Sequence, residues 1–179
     1  KEAKNRVQSA SENSGIKFPS LDIMVNLAPA DIKKAGSALD LAILLAIYQC
    51  DGIIPVDYDF SDKSFIGELS LSGEVRAIGG VLPMTISARD SGKKEIFVPA
   101  ENAGEAAVVE GIKVFAVHSI RELLSHIKGE KYIEPREFDA SLFDLSGHIA
   151  APDFSEVRGQ LKAKRALEIA AAGSHNILL

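Results

Sequence analysis

The feature that most constrains the fold is an apolar pattern between residues 38 and 50. The run from Leu41 to Tyr48 is the longest one without charged or strongly polar residues. It predicts a helix from Ala38 to about Cys50 that is apolar on nearly every side, and such a helix belongs at the centre of a core. The run is far too short to span a bilayer, so we expect no membrane partner.

Strand and helix patterns alternate around this central helix. Apolar residues alternate with polar ones over residues 21–27, which predicts a half-buried strand. Residues 65–71 and 74–78 predict two strands joined by a tight hairpin turn. Shorter strands are predicted at residues 96–98 and 114–117. This order of elements predicts an α+β fold with a partly antiparallel sheet.

Two serines stand where helices should begin. Ser37 precedes the central helix, and Asp40 occupies a weaker version of the capping-box position three residues later. Ser119 and Glu122 form a full capping box ahead of another apolar pattern. Both serines are therefore predicted to be N-caps, which is a structural role.

The periodic pattern stops at residue 131 and returns near residue 154. The intervening charges are mostly acidic, and we expect a linker over residues 131–153. The sequence thus predicts a first domain over residues 1–130 and the start of a second one over residues 154–179. In the second domain a helix pattern over residues 160–172 precedes an apolar strand over residues 176–179. The helix has one apolar stripe: Ala163, Ala166, Leu167 and Ala170.

Composition narrows the classes of function. A net charge of −5 does not suit a chain whose whole surface binds nucleic acid, although it allows a local basic patch. The single cysteine, Cys50, excludes an internal disulfide and indicates a reducing compartment, so we expect a cytoplasmic protein. Its place at the end of the apolar helix predicts a small core residue. The four histidines lack metal-ligand spacing, and we expect no metal site.

Two further groups of charged residues have both a functional and a structural interpretation. Glu68 and Glu74 flank the predicted hairpin and could face each other as an acid–base pair, although solvated hairpin charges are far commoner. Lys162, Lys164 and Arg165 form a basic cluster on the last helix. A solvated helix face is the favoured interpretation, and a nucleotide or nucleic-acid contact is the alternative.

Several segments resemble two related families. Residues 67–80 (Gly-Glu-Leu-Ser-Leu-Ser-Gly-Glu-Val-Arg-Ala-Ile-Gly-Gly) and 99–102 (Pro-Ala-Glu-Asn) resemble the peptidase domain of Lon-type proteases. Residues 26–31 (Asn-Leu-Ala-Pro-Ala-Asp), 36–41 (Gly-Ser-Ala-Leu-Asp-Leu) and 156–160 (Glu-Val-Arg-Gly-Gln) resemble Mg-chelatase-like AAA+ ATPases of the competence protein ComM group. The resemblance implies a Lon-protease-like body, similar to the second domain of ribosomal protein S5, followed by the first elements of an AAA+ module.

The resemblance also implies that the Ser–Lys dyad of Lon-type peptidases is absent. Their nucleophile lies in Gly-Pro-Ser-Ala-Gly, and the matching stretch places Ala38 at that position, with Ser37 one residue early. Their base lysine follows Gly-Gly-Leu, whereas Leu82 follows Gly79-Gly80-Val81 here. Without a hydroxyl and an amine no acyl intermediate can form. A shift of register would restore Ser37, but it would not supply the lysine.

In the Mg-chelatase-like family, Val157, Gly159 and Gln160 correspond to the adenine side of the nucleotide site. A Walker A loop follows directly in that family, and strands precede the position of Lys1, so we expect the chain to be a piece of a longer protein. The intact parent should use ATP and Mg²⁺. We expect no tight binding of either by these residues, because the phosphate cradle and its lysine are missing from the sequence.

The function implied by the resemblance is that of a non-proteolytic scaffold or docking domain. The parent would be an ATP-driven ring, expected to be a hexamer, that translocates on or remodels DNA as a competence or recombination helicase. DNA would bind through the AAA+ module, and the present residues would not be catalytic. Two alternatives remain open: an active Lon-type serine peptidase, and a protein-remodelling motor subunit of the Mg-chelatase type that does not use DNA.

Overall fold

The computed structural model describes residues 2–20, 22–27, 37–139 and 154–178. They belong to two compact units, Lys1–Leu142, called the body below, and Phe143–Leu179, called the tail unit. Among the described residues, no helix is both long and apolar enough to cross a membrane.

The body contains five helices and five strands among its described residues. The helices are α1 (Glu2–Asn13), α2 (Asp40–Cys50), α3 (Val81–Asp90), α4 (Ala103–Ala106), which follows a 3-10 turn at Ala100–Asn102, and α5 (Ile120–Ile127). The strands are β1 (Lys63–Phe65), β2 (Glu68–Leu69), β3 (Val75–Arg76), β4 (Glu95–Pro99) and β5 (Lys113–Val117). Strands β1, β4 and β5 form a parallel sheet in the order β1-β4-β5, and β2 pairs with β3 in an antiparallel hairpin. The predicted α+β fold is confirmed.

The parallel sheet is buried on both faces, as parallel sheets usually are. Phe65, Phe97 and Phe115 occupy matching positions on its three strands, and neighbouring rings stack with centroids 4.7 Å apart. These rings pack into one cluster with α1, α2 and α5. Ile96 and Val98, which point to the opposite face, pack into a second cluster with α3 and α4.

The central helix α2 is buried on only part of its surface, so the prediction of burial all round is wrong. Leu41, Leu44 and Tyr48 are fully buried, but Ala46 and Cys50 are exposed. A cavity of about 540 Å³ separates this side of α2 from residues 22–27. Cys50 is therefore not the core residue that its position in the pattern predicts.

Four predicted strands differ in the structure, two of them in the hairpin. Described residues 22–27 and 175–178 form no strand. A strand requires ladder partners, and the described parts of the chain contain no strand beside either segment. The hairpin is present but shorter than predicted, because Phe65 belongs to β1 in the parallel sheet and pairs with Phe97.

Residues 131–136, which open the predicted linker, pack against the body. Ile133 is buried, and its N–H donates to Nδ1 of His126 over 3.0 Å. The Arg136 N–H donates to the Val114 carbonyl over 2.7 Å. Residues 140–153 of the predicted linker lie outside the described residues. The domain boundaries at 130 and 154 stay a prediction.

The tail unit contains helix α6 (Leu161–Gly173), within one residue of its predicted bounds. Its predicted apolar stripe is its least exposed side: Ala170 is buried, and the other three members are half-buried. Gln160 before the helix and Ser174 after it have φ values of 54° and 52°. Left-handed residues at both ends mark sharp turns into and out of α6.

Candidate functional site

The peptidase-like positions lie where α2 begins beside strand β2. The Ala38 carbonyl accepts the Gly67 N–H over 2.8 Å, and Leu41 N–H donates to the Gly67 carbonyl over 3.3 Å. The Ser37 hydroxyl donates to the Glu68 carboxylate. The N-cap residue of α2 is Leu39 and makes no side-chain cap bond, so the prediction that Ser37 caps this helix is wrong. Its hydroxyl joins α2 to the hairpin instead.

Asp40 does not complete a capping box but forms a buried ion pair. Its carboxylate accepts two bonds from the Arg6 guanidinium, from Nε over 2.6 Å and from Nη2 over 3.1 Å. It also accepts the Leu69 N–H over 3.4 Å. The side chain of Asp40 is only 3% exposed. This carboxylate therefore connects α1, α2 and β2, and it is held in a structural role.

Leu82, which is predicted to occupy the position of the Lon-type base, lies near the start of α3. Its N–H donates to Oε1 of Glu105 over 3.0 Å. The preceding loop is held by Asn102, whose side-chain amide exchanges two hydrogen bonds with the backbone of Ile78, of 3.0 and 3.1 Å. Ala38 and Leu82 thus hydrogen bond to different elements. Neither side chain can take or give a proton.

The other groups considered for chemistry are not brought together. In the hairpin, Glu68 lies opposite Arg76, so it does not face Glu74. Glu74 instead accepts a bond from Ser72 over 3.2 Å. Within the described residues no group of three or more histidine, cysteine or acidic side chains could hold a metal ion.

Among the titratable groups of the body, Tyr48 and His126 have pKa values shifted mainly by burial. Burial raises the pKa of Tyr48 to about 12, although its hydrogen bond to Ser11 opposes the shift. Burial also lowers the pKa of His126, with Lys63 acting in the same direction and Glu95 against it. Since neither Tyr48 nor His126 contacts the dyad positions, these shifts report packing and not catalysis.

The predicted adenine-side residues form an open turn ahead of α6. The turn comprises residues 154–160. Its apolar side chains Phe154 and Val157 are 42% and 43% exposed. Gly159 has a φ of 70° with no atom within 4 Å of where a Cβ would lie, and Gln160 is also left-handed. The turn therefore offers apolar surface and open space beside backbone groups. These are the features that purine sites use.

Sequence reasoning missed Lys164 as part of this turn. Its ammonium donates to the carbonyls of Phe154 and Val157. Lys162 and Arg165 of the same predicted cluster are exposed, whereas Lys164 is half-buried. No local sequence signal separates it from these two neighbours, because its carbonyl partners are set by the fold of the turn.

Comparison with known proteins gives a consistent set of relatives. The family model of subunit ChlI of Mg-chelatase matches residues 1–102, and a second model, magnesium chelatase subunit ChlI, matches residues 153–179. Competence protein ComM of Haemophilus influenzae is 34% identical over 180 residues, covering 99% of the chain and 35% of that protein. The chain belongs to the Mg-chelatase-like family that includes ComM. This places it within the wider AAA+ class.

Other relatives agree with this family. The uncharacterized protein YifB of Escherichia coli is 35% identical over 180 residues, covering all of the chain and 34% of that protein. The chain spans about a third of the length of the ComM and YifB relatives. Lon protease 2 of Bacillus subtilis is 34% identical over 130 residues, covering 69% of the chain and 22% of the protease. The body of this Mg-chelatase-like protein accordingly has a Lon-protease-like α+β fold.

Proposed function

We propose that the chain is the non-proteolytic body and the beginning of the nucleotide-binding module of an ATP-driven motor that acts on DNA. The body is a scaffold or docking platform. The complete protein assembles into a ring, a hexamer in this proposal, and translocates on or remodels DNA in competence or recombination. ATP and Mg²⁺ are used by the complete module, with Val157, Gly159 and Gln160 on the adenine side.

The observation that carries this proposal is the pair of residues at the peptidase positions of a Mg-chelatase-like chain. Ala38 has no nucleophile, and Leu82 has no proton to exchange; its backbone N–H is bound by Glu105. In this proposal the body keeps the fold of a Lon-type domain and lacks the groups that its chemistry requires. A role in assembly or docking is consistent with such a body, and the name of the relative, competence protein ComM, supports a role in competence.

Two observations favour other functions. The names of both matching family models favour a remodelling subunit of the Mg-chelatase type that works without DNA. The hydrogen bond from Ser37 to Glu68 favours a peptidase, because a carboxylate that accepts a hydroxyl proton is one way to activate a nucleophile. The second arrangement lacks the lysine of Lon-type enzymes.

The test is ATP hydrolysis by the full-length protein, measured alone and with single-stranded or double-stranded DNA. Heparin is the control polyanion, since it matches the charge of DNA without its bases or helix. We expect DNA, but not heparin, to raise the rate several-fold. Hydrolysis that ignores DNA would favour the chelatase-type motor, and no hydrolysis would contradict both motor functions.

A further inference from the structure

Lys164 contacts both ends of the turn that precedes α6. Its ammonium donates to the carbonyls of Phe154 and Val157, which open the turn. Its own backbone N–H donates to the Gln160 carbonyl over 2.9 Å, and Gln160 closes the turn. The backbone bond is the first one of the helix, so the ammonium is the group that ties the first half of residues 154–160 to α6.

The turn needs such a restraint because its backbone is unusual. Gly159 and Gln160 are consecutive left-handed residues, with φ values of 70° and 54°. A non-glycine residue in this region is disfavoured, so it must be held there by its surroundings. A charged donor bound to two carbonyls is among the stronger restraints available at a half-exposed site.

We infer that Lys164 is a positioning residue for the adenine side of the nucleotide site. This inference rests on the proposed function. The exposed apolar side chains of Phe154 and Val157 would contact the flat faces of a purine, and Lys164 fixes the backbone that carries them. Because its ammonium is bound to carbonyls, Lys164 does not serve as a phosphate ligand. Bound ATP supplies the purine ring, and its phosphates require groups outside these residues.

Removal of the Lys164 ammonium should weaken binding of the adenine base and leave binding of the phosphates unchanged. Lys164→Met keeps much of the apolar stem but removes the ammonium, so the turn should lose its two carbonyl bonds. We expect the affinity of the full-length protein for Mg-ATP to fall about tenfold. Its affinity for inorganic tripolyphosphate with Mg²⁺, which has no base, should not change.

The experiment is calorimetric titration of the full-length protein and three variants with Mg-ATP and with tripolyphosphate. Lys162→Met is the matched control, because Lys162 is an exposed lysine of the same helix. Lys164→Arg tests rescue, since a guanidinium can also donate to two carbonyls. We expect Lys162→Met to match the wild type and Lys164→Arg to recover most of the ATP affinity.

The other outcomes overturn the inference in distinguishable ways. Equal ATP affinity in Lys164→Met and Lys162→Met would show that Lys164 does not position the base. A parallel loss of ATP and tripolyphosphate binding in Lys164→Met would assign it a general role in folding. If the wild-type protein binds neither compound, the proposed ATP-driven function fails and the inference fails with it.

Discussion

Helices α5 and α6 each carry an apolar stripe, formed by isoleucine and leucine in α5 and mostly by alanine in α6, and the two helices differ greatly in burial. Helix α5, in the body, has 8 residues and buries four of them. Helix α6, in the tail unit, has 13 residues and buries only Ala170. Leu161 and Ile169 of α6 are 78% and 54% exposed. A helix pattern thus fixes which side is apolar, whereas burial depends on the partners that the rest of the chain provides.

The difference predicts that the two units respond unequally to the same kind of mutation. The body contains ring stacks, a buried ion pair and a sheet covered on both faces, so changes in its interior should be costly. The tail unit contains mostly exposed side chains, so comparable changes there should cost little. Matched pairs of variants in the 179-residue chain can measure this contrast.

The largest effect is expected from Phe97→Ala. This ring is fully buried between Phe65 and Phe115, and its loss leaves a cavity that the parallel strands cannot close. We expect the free energy of unfolding to fall by about 3–5 kcal/mol. Urea unfolding followed by circular dichroism measures it. The control is Phe154→Ala in the tail unit, which should change stability by less than about 0.5 kcal/mol; equal effects would refute the contrast.

The second-largest loss of stability is expected at a buried ion pair, compared with an exposed one. Asp40→Asn removes the charge of a carboxylate that is only 3% exposed and that accepts two bonds from the Arg6 guanidinium, and we expect a loss of about 3 kcal/mol in urea unfolding. The matched change is Glu168→Gln in α6, where both members of the Arg165–Glu168 pair are more than half exposed. That change should cost less than about 0.5 kcal/mol. A small effect of Asp40→Asn would mean that the buried pair does not anchor α1 to α2.

A smaller effect is expected from the pH dependence of the body. Because burial lowers the pKa of His126, the folded protein binds a proton there less readily than the unfolded chain does. Stability should be complete above the unfolded pKa and should fall as the pH drops below about 6.5. Protonation would also remove the acceptor of the Ile133 N–H.

The check for this pH effect is the urea midpoint between pH 8 and pH 5, compared between the wild type and His126→Gln. The other histidines are common to both proteins, so the difference isolates His126. The variant should have the flatter profile. Superimposable profiles would show that this ring makes no contribution to the pH dependence.

The smallest effect concerns the end of α6. Ser174 is left-handed, which is unfavourable for a residue with a Cβ, so Ser174→Gly should stabilise this turn by roughly 1 kcal/mol. Gly173→Ala should also favour α6, because alanine has the higher helix propensity and the exposed His175 ring beside the added methyl can move aside. Amide hydrogen exchange of α6 measures both. Faster exchange in Ser174→Gly would contradict this account of the turn.

The sequence predicts the elements whose signals are local. The Ser119 N-cap, strands β4 and β5, and the stripe of α6 all depend on residues a few positions apart, and the structure confirms them. The predicted capping box is only half formed, because the Glu122 carboxylate accepts the His118 N–H and not that of Ser119. The segments at 22–27 and 175–178 were misjudged because a strand also needs a ladder partner, which alternation cannot reveal.

At the candidate sites, too, the sequence predicts local features but not contacts between distant residues. Ser37 was assigned to a helix cap because its partner, Glu68, lies 31 positions away in the sequence. Lys164 was grouped with exposed lysines because its two carbonyl partners depend on the folded shape of the turn. The absence of a hydroxyl at Ala38 and of an amine at Leu82 required no structure, since it is a property of the residues themselves.

The most direct measurement of the central claim is casein degradation by the full-length protein and by its Ser37→Ala variant, with an active Lon protease assayed in parallel. The claim is that this Lon-like body lacks a working nucleophile and base. It predicts no turnover above background for either form, with or without ATP. Turnover by the wild type that disappears in Ser37→Ala would contradict the claim and identify Ser37, with Glu68 beside it, as the start of a peptidase site.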